Sequence, residues 1–110
     1  MTKVKLFYSD GMLIGLEARG HSGYAEAGKD IVCAAISTLI QTGLLALTEV
    51  AGAEVEKKEK DGYLYYKVIS NNAITLEKSD IILKSIVVGL ADIAKGYPSH
   101  IRLEETKNVH

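Results

Sequence analysis

Cysteine is nearly absent from this 110-residue chain, which has one. A single thiol closes no intrachain disulfide. One cysteine with three scattered histidines, His21, His100 and His110, also matches no recognised zinc spacing, so no metal or other cofactor is expected. An excess of charge is missing too, because Lys and Arg number 13 against 14 Asp and Glu, a formal net charge of −1. No global field of one sign draws the chain to nucleic acid or anionic lipid, which leaves room only for a local basic patch, and no direct nucleic-acid or membrane partner is expected. The opening stretch MTKVKLFYSD lacks the basic-then-apolar order of a secretory signal, and no repeat, linker or low-complexity stretch follows it. The expectation is a reduced, cytoplasmic protein with one domain over residues 1–110. At 47% hydrophobic and 25% charged residues, the composition suits an ordinary globular core.

Charge is also missing locally. From Ile31 to Thr48 (IVCAAISTLIQTGLLALT) there is none, over about the shortest length that spans a bilayer. Ser37, Thr38, Gln41, Thr42 and Thr48 interrupt that run, and no aromatic belt or basic cluster flanks it. A helix apolar nearly all round is otherwise buried on two sides, here by its own sheet and by a second subunit. A homodimer is therefore expected.

Alternation in KVKLFYS (Lys3 to Ser9), the Asp10-Gly11 turn and MLIGLEARG (Met12 to Gly20) predict a β-hairpin. A helix is predicted from Ile31 to Val50, with Val32, Ile36, Leu39, Gly43, Leu47 and Val50 on one stripe. AEVEKKEKDGYLYYKVIS predicts a second hairpin turning at Asp61-Gly62, with Tyr63, Tyr65, Tyr66 and Val68 suited to strand packing. Lys57, Lys58 and Lys60 alternate with Glu56, Glu59 and Asp61 and read as a solvated hairpin end. A second helix runs over Leu76 to Lys95, with Ile82, Ile86, Leu90 and Ile93 inward, a left-handed cap at Gly96 and Pro98 beyond. SHIRLEET adds a last strand. The order ββαββαβ is that of a two-layer α+β domain, two hairpins forming a sheet with both helices on one face.

The lone cysteine sits in GHSGYAEAGKDIVCAA (Gly20 to Ala35). Asp30 is a natural N-cap, which puts Cys33 at the third helical position, where the dipole is positive and amides lack helical partners. That setting favours a thiolate and can hold the oxyanion of an attacked carbonyl. His21 closes the preceding strand and is the base such a nucleophile needs. Residue by residue, other readings stand beside this one. Cys33 can be a small buried hydrophobe, His21 a strand-end histidine bonded to backbone, and Gly20, Gly23 and Gly28 plain turn residues. Asp30 serves as the cap in preference to a third catalytic member. The glycine stretch lacks the Gly-Lys-Ser/Thr ending of a phosphate loop. Six residues past the cysteine, where a phosphatase loop carries arginine, stands Leu39. The connection from Ser22 to Lys29 has little apolar bulk, and is expected to be mobile and to close over a substrate with Tyr24 moving inward.

Gly20-His21, Gly28, Asp30-Ile31-Val32-Cys33-Ala34-Ala35 and Ser37 together closely resemble the signature of the bacterial ribosomal-processing cysteine proteases, the Prp family. The resemblance extends in outline over nearly the whole chain, including GYP after the second helix. It implies a homodimeric cytoplasmic cysteine endopeptidase with Cys33 as nucleophile and His21 as proton acceptor and donor. It also implies the family's substrate, an N-terminal extension on ribosomal protein twenty-seven of the large subunit, cut after an aromatic residue and before a small one. A reading from another class has Cys33 in the core of a non-enzymatic ribosome-associated binding module.

Overall fold

The computed structural model of the chain describes residues 1–21, 23, 25–26 and 30–108. Its elements in order are β1 (Thr2–Ser9), β2 (Met12–Arg19), α1 (Ile31–Glu49), β3 (Val55–Lys60), β4 (Tyr63–Val68), α2 (Ala73–Gly96) and β5 (Ile101–Thr106). The five strands form one sheet in the order β3-β4-β2-β1-β5. Neighbours are antiparallel except β1 and β5, which are parallel. This is the expected two-layer α+β fold.

Two-residue turns build both hairpins, by different torsions. Asp10 (φ 51°) and Gly11 (φ 79°) both take positive φ, the primed geometry that matches strand twist, whereas at Asp61-Gly62 only Gly62 does (φ 66°). Pairing is interrupted once, by a bulge between Phe7 and Tyr8 opposite Leu13 to Gly15. Near it the amide of Leu13 donates to Asp80 Oδ1 on α2 at 2.8 Å, tying helix to sheet.

The period of two sorts side chains by face. Val4, Leu6, Leu16, Leu64, Tyr66, Val68 and Ile101 turn to the helix side and are buried there with Val32, Ile36, Ile40 and Leu47 of α1 and Leu83, Ile86 and Leu90 of α2. Tyr66 is fully buried, and its hydroxyl donates to the Ile40 carbonyl at 2.6 Å. Burial pushes its pKa well up, so the phenol stays protonated as a donor. Gly43 leaves room for that ring: a Cβ there would sit 2.6 Å from the Tyr66 hydroxyl.

Several sequence expectations need correction. Ile40 takes the inward place expected for Leu39, and Val50 is 71% exposed, because the helix ends at Glu49. The second helix begins three residues before Leu76, capped by Asn72, whose Oδ1 accepts from the Thr75 amide at 3.1 Å. Its inward stripe is Ser79, Leu83, Ile86 and Leu90, with Ile82 and Ile93 only half-buried beside it. Gly96 is the last helical residue rather than a left-handed cap. Tyr97, at φ −134°, ends the helix ahead of Pro98, as the residue before a proline is driven away from helical torsions.

Candidate active site

Cys33 is the third residue of α1 and half-buried. Asp30 is the N-cap, with extended torsions (φ −82°, ψ 98°) and Oδ1 accepting from the Cys33 amide at 2.8 Å. The Ala34 amide donates to the Asp30 carbonyl at 3.1 Å. This narrows the expected role of the first-turn amides, since Cys33's own N–H and the next are already engaged by Asp30.

His21 reaches the site through glycine. Gly20 has φ 94°, and a Cβ on it would lie 2.7 Å from the Met1 carbonyl oxygen, so both torsion and space demand glycine. Its amide donates to the Gly62 carbonyl at 2.8 Å, joining the end of β2 to the tip of the second hairpin. The exposed His21 ring lies over that tip, with Nε2 3.0 Å from where a Cβ on Gly62 would be.

Both side chains line one cavity of about 260 Å³. Ile36, Ile40, Ala18 and Leu64 supply apolar wall, and Glu59, Lys60 and Asp61 of the hairpin its charged rim. Ser37, one turn past Cys33, lines it too and accepts a 3.3 Å hydrogen bond from Gln41 Nε2. Thr2 closes another side, and its buried Oγ1 has no hydrogen-bond partner among the described residues. A larger cavity of about 450 Å³ lies by Asp10, Met12 and Ser70 and contains neither cysteine nor histidine, so size does not mark the chemistry.

The site thus brings together His21, Cys33 and Ser37 on one cavity, with Gly20 setting the turn into His21 and Asp30 acting through the helix end. Gly23, at φ 72°, is exposed. Tyr24 and Gly28, with most of the connection expected to close over substrate, lie outside the described residues, as does His110. His100 is not a lining residue: its carbonyl accepts from the Thr2 amide at 3.0 Å and its ring tilts against Tyr97. Among the described residues, no cluster of three or more His, Cys, Asp and Glu could hold a metal ion. Gly62, Gln41 and Thr2 escaped sequence reasoning. Gly62 was legible as a turn, but its contact with His21 spans 41 residues of chain and depends on sheet order.

Comparison with known proteins bears on the family and the fold. Residues 1–102 match the family described as cysteine protease Prp. A ribosomal processing cysteine protease Prp from Mycoplasma genitalium is 36% identical over 106 residues, covering 93% of this chain and 95% of that protein. The Bacillus subtilis protein of the same description is 26% identical over 97 residues, 86% of this chain and 87% of that one. Among solved structures, an essential ribosomal processing protease Prp from Staphylococcus aureus, in complex with a covalently linked product peptide, superposes with a TM-score of 0.87 at 25% identity. The match covers 96% of this chain and all of that one.

Proposed function

Because the chain belongs to the Prp family of cysteine proteases, we propose that Cys33 and His21 form its catalytic dyad. The carrying observation is that the thiol at a capped helix N-terminus and the imidazole beyond β2 line one cavity. The Cys33 thiolate attacks the substrate carbonyl, and the thiol's proton rests on His21. The protonated imidazole then gives that proton to the departing amine, leaving a thioester on Cys33. Water, deprotonated by His21, attacks the thioester, releasing the carboxylate product and restoring the thiol. Amides ahead of Cys33 in the first turn of α1 face the developing oxyanion, since those of Cys33 and Ala34 are engaged by Asp30.

The substrate in this reading is the N-terminal extension of ribosomal protein twenty-seven, cut after an aromatic and before a small residue. An apolar wall of Ile36, Ile40 and Leu64 suits an aromatic side chain. The enzyme acts in the cytoplasm as a homodimer. In support of the dimer, α1 is uncharged from Ile31 to Thr48, and Ile31 and Leu45 on it are 62% and 56% exposed.

A synthetic peptide spanning such an extension tests the assignment. Wild-type protein cuts it and mass spectrometry shows the acyl-enzyme on Cys33, whereas Cys33→Ala folds normally and cuts nothing. Turnover by Cys33→Ala would rule out Cys33 as the nucleophile, whereas a Cys33 thiol inert to alkylation near neutral pH would favour the non-enzymatic binding module.

A further inference from the structure

The near-neutral charge of the whole chain conceals a segregation that the fold creates. Strand register places Lys60 opposite Tyr63, Tyr63 opposite Arg19, Arg19 opposite Lys3 and Lys3 opposite Arg102. One row across all five strands therefore carries four cations and no carboxylate. At ~4.8 Å between strands the row is about 19 Å wide. It lies on the face away from both helices, and Lys60, Arg19, Lys3 and Arg102 are exposed.

One aromatic ring lies against two of these cations. Arg19 lies over the Tyr63 ring at 4.9 Å and Lys60 over the same ring at 5.4 Å. In the next row Lys58 lies over Tyr65 at 5.9 Å, and Phe7 packs edge-on to Tyr65. That row adds Lys5 and is balanced by Glu17 and Glu104. The lysines of β3 are exposed, as expected of a solvated hairpin end, and the register sorts them by face: Lys58 and Lys60 stand on the tyrosine face, while Lys57 turns the other way toward Glu59. Glu17, the carboxylate nearest the row, accepts from the Tyr63 hydroxyl at 2.8 Å through Oε2 and lies 4.0 Å from the Arg19 guanidinium through Oε1, a loose pair that leaves Arg19 exposed.

We propose that this row is a docking site for the phosphate backbone of single-stranded RNA. A line of exposed cations on an open sheet face fits a flexible strand with one negative charge per nucleotide. The row ends at Lys60, which also lines the cavity, so a bound strand would pass beside the protease site. On the substrate reading proposed above, an enzyme that holds RNA would meet its ribosomal-protein substrate beside the RNA that protein assembles with.

Fluorescence anisotropy with a labelled twelve-nucleotide oligouridine tests this on the full chain. With four phosphate contacts the logarithmic salt slope for a single strand is about −3, or ~50-fold weaker binding from about 50 to about 200 mM salt. Lys3→Glu/Arg102→Glu should weaken binding at least about tenfold and flatten the slope, and leave peptide cleavage unchanged because neither residue lines the cavity. Lys78→Glu/Lys95→Glu, the same charge change on α2, should bind as wild type. If the charge reversal unfolds the protein, Lys3→Gln/Arg102→Gln gives the same reading at smaller amplitude. Absence of low-salt binding overturns the proposal, as does equal loss in the α2 variant. Competition by polyglutamate as effective as by RNA would overturn it in favour of an acidic protein partner.

Discussion

Gly62→Ala separates the cost of a strained turn from the cost of a displaced base. The substitution does two things: it places a Cβ at φ 66°, and it sets that carbon 3.0 Å from His21 Nε2. The torsional penalty is ~1–2 kcal/mol. The contact penalty is small for folding, because the exposed ring can withdraw, but withdrawal displaces the proposed proton acceptor from its place in the cavity. A displacement near 1 Å at a reacting group costs up to ~100-fold in rate. Gly11→Ala is the matched control, with φ 79° in the other hairpin turn and nothing within 4 Å of its added Cβ. Both variants should lose about 5–10 °C in melting temperature, since ~1 kcal/mol shifts a domain of this size by ~4–8 °C. Only Gly62→Ala should also lose about 10- to 100-fold in kcat/KM on the extended peptide. If the two variants cleave at the same rate, the contact between ring and turn has no bearing on catalysis and the reasoning fails.

His21→Ala should remove nearly all turnover while His100→Ala retains it, and a pH–rate profile that keeps its acidic limb without His21 would contradict the dyad. Asp30→Ala should lower stability by ~1 kcal/mol through loss of the cap. Asp30→Asn, which caps as well, should restore both stability and activity unless the carboxylate charge has a catalytic part, and unfolding curves run beside peptide assays distinguish the two. Tyr66→Phe should cost about 1–2 kcal/mol by leaving the Ile40 carbonyl without its buried donor, measured by urea unfolding. Sedimentation at micromolar concentration should show a dimer, and Leu45→Lys, placing charge on the exposed face of α1, should give monomers.

Local signals in the chain were legible where a residue's neighbours in sequence decide its structure. Asp10-Gly11 and Asp61-Gly62 marked both turns, and Asp30 marked the start of α1, because capping and positive φ are properties of a few adjacent residues. Legibility failed where tertiary packing chooses between near-equivalent options. Leu39 and Ile40 both fit a helical stripe, and only the packed fold shows Ile40 in the core while Leu39 lies half-buried against Gly89 of α2. Asn72 was hidden as a cap because Ser70, Asn71 and Asn72 are three successive capping residue types ahead of Ala73-Ile74, and only the folded chain chooses among them. The basic row was invisible for the same reason: net charge sums over faces, and only the register of five strands lines up Lys60, Arg19, Lys3 and Arg102.

The two proposed catalytic side chains are held with very different firmness, and this follows from sheet order. Cys33 lies on a helix whose Val32, Ile36 and Ile40 are in the core and whose backbone is hydrogen-bonded to Tyr66, so the nucleophile cannot shift without opening the core. His21 is one residue past the end of β2, exposed, with its ring resting on Gly62. That ring meets Gly62 because β4 lies directly beside β2, which brings the hairpin tip to the strand end and allows the Gly20 to Gly62 hydrogen bond. The adjustable coordinate of the dyad is therefore the base. Substitutions in α1 should appear first in stability, since they disturb packing. Substitutions at the Asp61-Gly62 turn should appear first in turnover, since a loosely held imidazole loses its alignment long before the fold loses its core.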